Sequence, residues 1–95
     1  MTGHVFHRDR QPLHGVTVVI TTPGTRTWVG RWHEQDEHGV HLMDAAIHDA
    51  ETHEQAREEF LRRTLKFGVR PEHKHVLVPN DQVAEVTPLR ELSFE

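Results

Sequence analysis

The segment RTWVGRWHEQDEHGVHLMD, residues 26–44, decides the fold, because it contains two stretches of strand character on either side of a polar turn. Side chains along a strand alternate between its two faces, so Trp28, Gly30 and Trp32 lie on one face. A glycine inside a strand marks a bulge, a sharp bend or a place where another backbone comes close. The segment therefore predicts a strongly curved β-hairpin.

Three more segments have strand character, because they are rich in β-branched or other apolar residues and are bounded by turn residues. They are residues 16–21, 75–79 and 82–87. A Pro-Gly turn connects the first of them to the hairpin, and Asn80 and Asp81 form the turn between the other two. Five short strands joined by turns predict a mainly β fold, a small five-stranded, strongly bent β-barrel.

One α-helix is predicted between the third and fourth strands, within residues 50–67. Thr52 and Gln55 have the spacing of a capping box, and Gly68 follows the last helical residue. Acidic residues are concentrated at the start of this segment and basic residues at its end, as the helix dipole prefers. One stripe of this segment contains Ala56, Phe60, Leu61, Thr64 and Leu65, and we expect Phe60, Leu61 and Leu65 to dock the helix.

Length and composition restrict the classes of protein to which the chain can belong. We interpret its 95 residues as a single domain, 1–95, with a polar arm at 1–12 and a short tail at 89–95. The absence of cysteine excludes a disulfide framework and makes the cytoplasm the expected location. No apolar run reaches the ~18 residues of a membrane span, so we expect no membrane contact. The formal net charge of −4 means that any nucleic-acid contact must be local.

The run WVGRWHEQDEH, residues 28–38, resembles the first signature of the Sm-like (LSm) family. In that signature an apolar residue, a strand glycine and another apolar residue precede Asp-x-His-Met-Asn. Asp36 and His38 match its Asp and His. Gly39 and Val40 stand where the family usually has Met-Asn.

The second signature of that family consists of an apolar residue, Arg-Gly and a last short strand. It falls on VPNDQV, residues 78–83, where the flanking apolar residues and the polar turn are present. The resemblance covers residues 13–44 and 75–88, and the inserted helix is the largest departure from the family layout. The resemblance implies a homo-oligomeric ring, a hexamer or heptamer, in which the fourth strand of one subunit pairs with the fifth strand of the next. It also implies single-stranded RNA as the partner.

The resemblance places the RNA site at the polar turn between the central strands. In the family the Asp orders the loop, the ring two residues later stacks on a base, and the Asn reads the base edge. Val40 and Pro79 stand where the family has its base-reading Asn and its Arg, so we expect weak base selectivity. The candidate RNA-binding residues are Asp36, His38 and Asn80. An ordinary turn in which the Asp caps backbone donors explains the same residues.

Other kinds of site have less support in the sequence. The chain contains ten histidines, and His73 with His75, or His38 with His41, could meet a metal ion. Their spacings match no zinc signature, so we expect no metal and no cofactor. Ser93 is the only serine, and no glycine-rich elbow or phosphate loop accompanies it, so we do not expect an enzyme.

Two hypotheses for the function follow. The first is an Sm-like ring protein that binds RNA or acts in RNA metabolism, which Asp36 and His38 favour. The alternative is an oligomeric protein-scaffolding module of the same fold without RNA binding, which the missing Asn and Arg-Gly favour.

Overall fold

Five strands and one α-helix form the regular part of residues 13–93, which are the residues that the computed structural model describes. The elements in chain order are β1 Thr17–Thr21, β2 Arg26–Gln35, β3 Gly39–Asp49, α1 Arg57–Phe67, β4 His73–Pro79 and β5 Glu85–Pro88. Short 3₁₀ helices, Asn80–Gln82 and Leu89–Glu91, follow β4 and β5. The predicted arm at residues 1–12 lies outside the described residues.

The five strands form one antiparallel sheet in the order β4-β3-β2-β1-β5. This confirms the prediction of a mainly β fold with one helix inserted after the third strand. Within the described part of one chain, β4 and β5 are the two edges of the sheet. Among the described residues, no helix has both the length and the apolar character needed to cross a bilayer.

The long β2-β3 hairpin is interrupted by two register shifts, one after Val29 and one after Trp32. Gly30 lies at the first shift, where a Cβ atom would stand only 2.9 Å from the Cβ atom of Ala45 on β3. Bulges bend the bulged strand and increase its twist. The register places the extra residue on β3, opposite Gly30. The strand glycine therefore lies beside a bulge and at a close approach of the neighbouring strand, which are two of the features that the sequence predicts.

Apolar side chains are buried on both faces of the sheet. The cluster on the concave face contains Val18, Ile20, Trp32, Val40, Leu42, Ala45 and Val78, with Trp28 packed against it. The second cluster joins Val19 and Val29 to Leu61 of α1 and to Leu89. Because neighbouring side chains of β1 point to opposite faces, this strand is covered from both sides.

The helix starts later than predicted. It begins at Arg57, its N-cap is Ala56, and no side chain caps it, so the predicted capping box of Thr52 and Gln55 is wrong. Asp49 supplies the physical reason, because its Oδ1 atom accepts hydrogen bonds from the backbone N–H of Glu51 at 2.9 Å and from a threonine hydroxyl at 2.8 Å. A side chain bonded in this way favours a turn over the first helical turn.

The residues of the predicted stripe that dock α1 differ in part from the expected ones. Leu61 is 7% exposed and Thr64 is buried beside it, whereas Leu65 is 41% exposed. The hydroxyl of Thr64 donates to the carbonyl of Phe60 at 2.8 Å, which satisfies the polar atom that is placed against the sheet. The docking face is therefore Phe60, Leu61 and Thr64, and the docking role predicted for Leu65 is wrong.

We expect Leu61→Ala to lower the free energy of unfolding by about 2–3 kcal/mol, because it removes a buried anchor between α1 and the sheet. Leu65→Ala is the matched control, and we expect it to change stability by no more than about 0.5 kcal/mol. Urea denaturation followed by circular dichroism measures both. Equal losses in the two variants would contradict this packing and would place Leu65 in a buried contact.

Candidate functional site

Asp36 organises the turn between β2 and β3, residues 36–38, which we call the tip. Its Oδ1 atom accepts hydrogen bonds from the backbone N–H of His38 at 2.9 Å and of Gly39 at 3.2 Å. The bond from His38, together with those from His41 and Gly39, lowers the pKa of Asp36 below its ordinary value of 3.8 despite some desolvation. The carboxylate is therefore charged at neutral pH and orders the tip through backbone donors.

Gly39 allows the strand after the tip to approach β4. Its φ is +151°, which disfavours other residues, and a Cβ atom there would collide with the carbonyl oxygen of Val78. Val40, the next residue, is 0% exposed and belongs to the concave core. The two positions where the family has Met-Asn are thus filled by a residue without a side chain and by a core residue, and neither presents a polar group.

His38 carries the exposed ring of the tip. Its side chain is 69% exposed, and its Nε2 atom lies 3.8 Å from a carboxylate oxygen of Glu37. An imidazole in this setting can offer a face to a planar group such as a nucleobase.

Asn80 holds the tip from the side of β4. Its Nδ2 atom donates to the carbonyl oxygens of Asp36 at 3.0 Å and Glu37 at 3.2 Å, and its Oδ1 atom accepts from Nε2 of Gln35 at 2.9 Å. Both amide protons and one lone pair are therefore used within the protein. The structure brings the three predicted site residues together, with Asn80 bonded to the backbone beside His38.

A hydrogen-bonded chain of side chains extends from the tip across the outer face of the sheet. Nε2 of His41 lies 3.0 Å from Oδ2 of Asp36, and Nδ1 of His41 lies 3.0 Å from Nε2 of His75. The two rings are stacked, with centroids 5.2 Å apart and planes 12° from parallel. The ring of His73 instead lies 6.0 Å from that of Trp28.

Sequence reasoning missed the pairing of His41 with His75. The spacing in the sequence favours pairs that are close in the chain, His73 with His75 and His38 with His41. The pairing depends on the register of β3 and β4, in which His41 lies opposite Leu77, two residues along the same face from His75. The available signal was that both histidines occupy outward positions of neighbouring strands.

Comparison with known proteins supports the fold. No protein-family model matches the chain, and no curated protein matches it in sequence. Among solved structures it is similar to the Pyrococcus abyssii Sm protein in complex with a uridine heptamer, with a TM-score of 0.55, 18% sequence identity, and coverage of 81% of this chain and 87% of that chain. At this identity the likeness establishes the fold alone, which is the Sm fold.

We expect Asn80→Ala to loosen the tip, because it leaves the carbonyl groups of Asp36 and Glu37 without their donor. The expected loss of stability is about 1 kcal/mol, and the backbone amides of His38 and Gly39 should exchange faster with solvent. Hydrogen exchange measured by NMR tests this. The exposed neighbour Asp81 provides the control, since Asp81→Ala should leave the exchange of the tip unchanged. Unaltered exchange in Asn80→Ala would show that the hydrogen bonds of Asn80 are not needed to order the tip.

Proposed function

We propose that this chain is an Sm-like protein that binds single-stranded RNA at the tip and acts in RNA metabolism in the cytoplasm, as a binding protein and not as an enzyme. The observation that carries the proposal is the exposed ring of His38 on a turn ordered by Asp36, in a chain with the Sm fold. The Sm protein of similar fold is in complex with a uridine heptamer, which supports RNA as the class of ligand. The lack of cysteine suits the proposed compartment.

The proposed binding has weak base selectivity. Stacking on His38 accepts any base and contributes ~1–3 kcal/mol per base. Reading a base edge requires a free polar group, but Val40 is in the core and the amide of Asn80 is bonded to the tip. In this proposal Asp36 and Asn80 take part in binding by holding the tip in place for His38.

The charges around the tip favour a small electrostatic contribution. Glu37 lies beside His38, and Arg31 is 3.0 Å from Asp44, so its charge is partly neutralised within the protein. Lys74 is an exposed cation on β4. With a net charge of −4 for the whole chain, few counterions are released on binding, and the dependence of affinity on salt should be shallow.

We expect His38→Ala to weaken binding of both oligo-U and oligo-A by roughly 1–3 kcal/mol, because it removes the surface on which a base stacks. The two losses should be similar, because His38 does not read the edge of the base. Fluorescence anisotropy with labelled oligonucleotides at two salt concentrations measures this. The matched control is His33→Ala, which removes an exposed histidine outside the tip and should leave binding unchanged.

Two results would contradict the proposal for the tip. If neither oligonucleotide binds at low salt, the chain has no RNA function of this kind. If oligo-U alone binds and is unaffected by His38→Ala, then a selective site lies elsewhere on the protein.

The proposal includes a homo-oligomeric ring, a hexamer or heptamer, built by pairing β4 of one subunit with β5 of the next. Both strands are edges within the described part of the chain, and edges with unpaired backbone groups invite pairing. Leu77 on β4 is a large apolar side chain at one of these edges, and it is 41% exposed. A closed ring removes both edges and satisfies their backbone groups.

We expect sedimentation velocity at micromolar concentration to give a species with several times the 11.1 kDa mass of the chain. Leu77→Lys should shift the population toward the monomer, because it places a charge at the proposed junction. Leu65→Lys is the control, because it places the same charge at an exposed position of α1, and we expect it to leave the oligomeric state unchanged. A purely monomeric wild-type protein would contradict the ring.

An oligomeric scaffold that binds other proteins is the second candidate function. One observation favours it: α1 leaves two large apolar side chains exposed, Phe67 by 71% and Leu65 by 41%. Loss of protein partners in Phe67→Ala together with undetectable RNA binding would support this function over the first.

A further inference from the structure

Three side chains of the types that ligate metal ions converge on the outer face of the sheet next to the tip. Glu34, Asp36 and His41 each direct one donor atom into the same space, and these atoms all lie within 4.8 Å of one another. Glu34 and His41 are direct partners across β2 and β3, and this pairing follows the register shift after Trp32. The bulge therefore sets Glu34 opposite His41, beside the end of β2 where Asp36 begins the tip.

The spacing of the three donors is close to that of a coordination site. Zinc holds nitrogen and oxygen ligands at about 2.0–2.2 Å, so two ligands of a tetrahedral ion are about 3.3–3.6 Å apart. Asp36 Oδ2 and His41 Nε2 are already 3.0 Å apart. Glu34 is exposed, so its carboxylate can rotate through the remaining distance without disturbing the core.

His75 completes the arrangement as the partner that orients His41. A metal-bound histidine usually donates its second ring N–H to a neighbouring acceptor, which sets the tautomer. Nδ1 of His41 lies 3.0 Å from Nε2 of His75. When Nε2 of His41 coordinates an ion, its proton resides on Nδ1 and is donated to Nε2 of His75.

We propose that Glu34, Asp36 and His41 bind one Zn²⁺ ion per chain and that His75 is a positioning residue for His41. Imidazole with carboxylates suits zinc and neighbouring transition metals, whereas Mg²⁺ and Ca²⁺ prefer oxygen ligands alone. Two carboxylates and one neutral imidazole carry a charge of −2, which a divalent ion balances. The site leaves a coordination position open to water. The site shares Asp36 with the proposed RNA-binding tip but does not include His38, so a failure of RNA binding leaves this inference intact.

The test is calorimetric titration of the full chain with Zn²⁺, together with the visible absorption of bound Co²⁺, which reports tetrahedral coordination. We expect one ion per chain in the wild type. Glu34→Gln and His41→Ala should each weaken binding at least tenfold, and His75→Phe, which keeps a ring in place, should weaken it by about tenfold. Glu37→Gln is the control matched in charge and exposure to Glu34→Gln, and we expect it to bind as the wild type does.

Histidines in the N-terminal arm offer a competing explanation for zinc binding, so the titration includes the double variant His4→Ala, His7→Ala. Binding that persists in this variant and is lost in Glu34→Gln supports the site. Binding that is lost in the double variant and kept in Glu34→Gln and His41→Ala overturns it, as does no binding in the wild type. Equal affinity in His75→Phe and the wild type overturns the role of His75.

Discussion

Strand β3 approaches each of its neighbours at a point where only a glycine fits, and the rest of the structure depends on these two contacts. Gly30 on β2 lies against Ala45, and Gly39 at the start of β3 lies against the carbonyl of Val78. The first contact coincides with the bulge that curves the hairpin. The second draws β4 up to the tip, so that Asn80, just after β4, reaches the carbonyls of Asp36 and Glu37.

The close approach at Gly39 changes what the tip can present. A Met or any other side chain at this position would collide with β4, and the residue after it is buried in the concave core. The polar side chains at the tip are the Asp36 carboxylate, whose Oδ1 atom accepts from backbone donors, the exposed carboxylate of Glu37 and the exposed ring of His38. The tip thus presents an exposed ring on an ordered turn, and the buried Val40 that follows it offers no amide.

The inserted helix provides a second core on the convex side of the sheet. A small domain buries a limited fraction of its surface, so an additional apolar layer matters for its stability. Leu61 packs with Val19 and Val29, and Leu89 after β5 closes the same cluster. The turn that precedes the helix is held by Asp49, whose pKa is lowered by the N–H of Glu51 and then by the hydroxyl of Thr25, against some desolvation. The end of β3 therefore determines where the helix can begin.

The sequence alone determined the features that depend on local periodicity and short-range bonding. Alternating apolar residues predicted the strands, and Gly30 predicted a bulge or a close approach. A turn in which Asp36 caps backbone donors was one of the two interpretations of the tip, and the structure identifies those donors as the N–H groups of His38 and Gly39. Tertiary structure alone decided three other features. Thr64 rather than Leu65 is buried on α1. Asn80 donates a hydrogen bond to the carbonyl of Asp36, 44 residues away, and the ring of His41 stacks on that of His75. These features depend on strand register and on the angle at which the helix meets the sheet, and both are set by packing between residues that are distant in the chain.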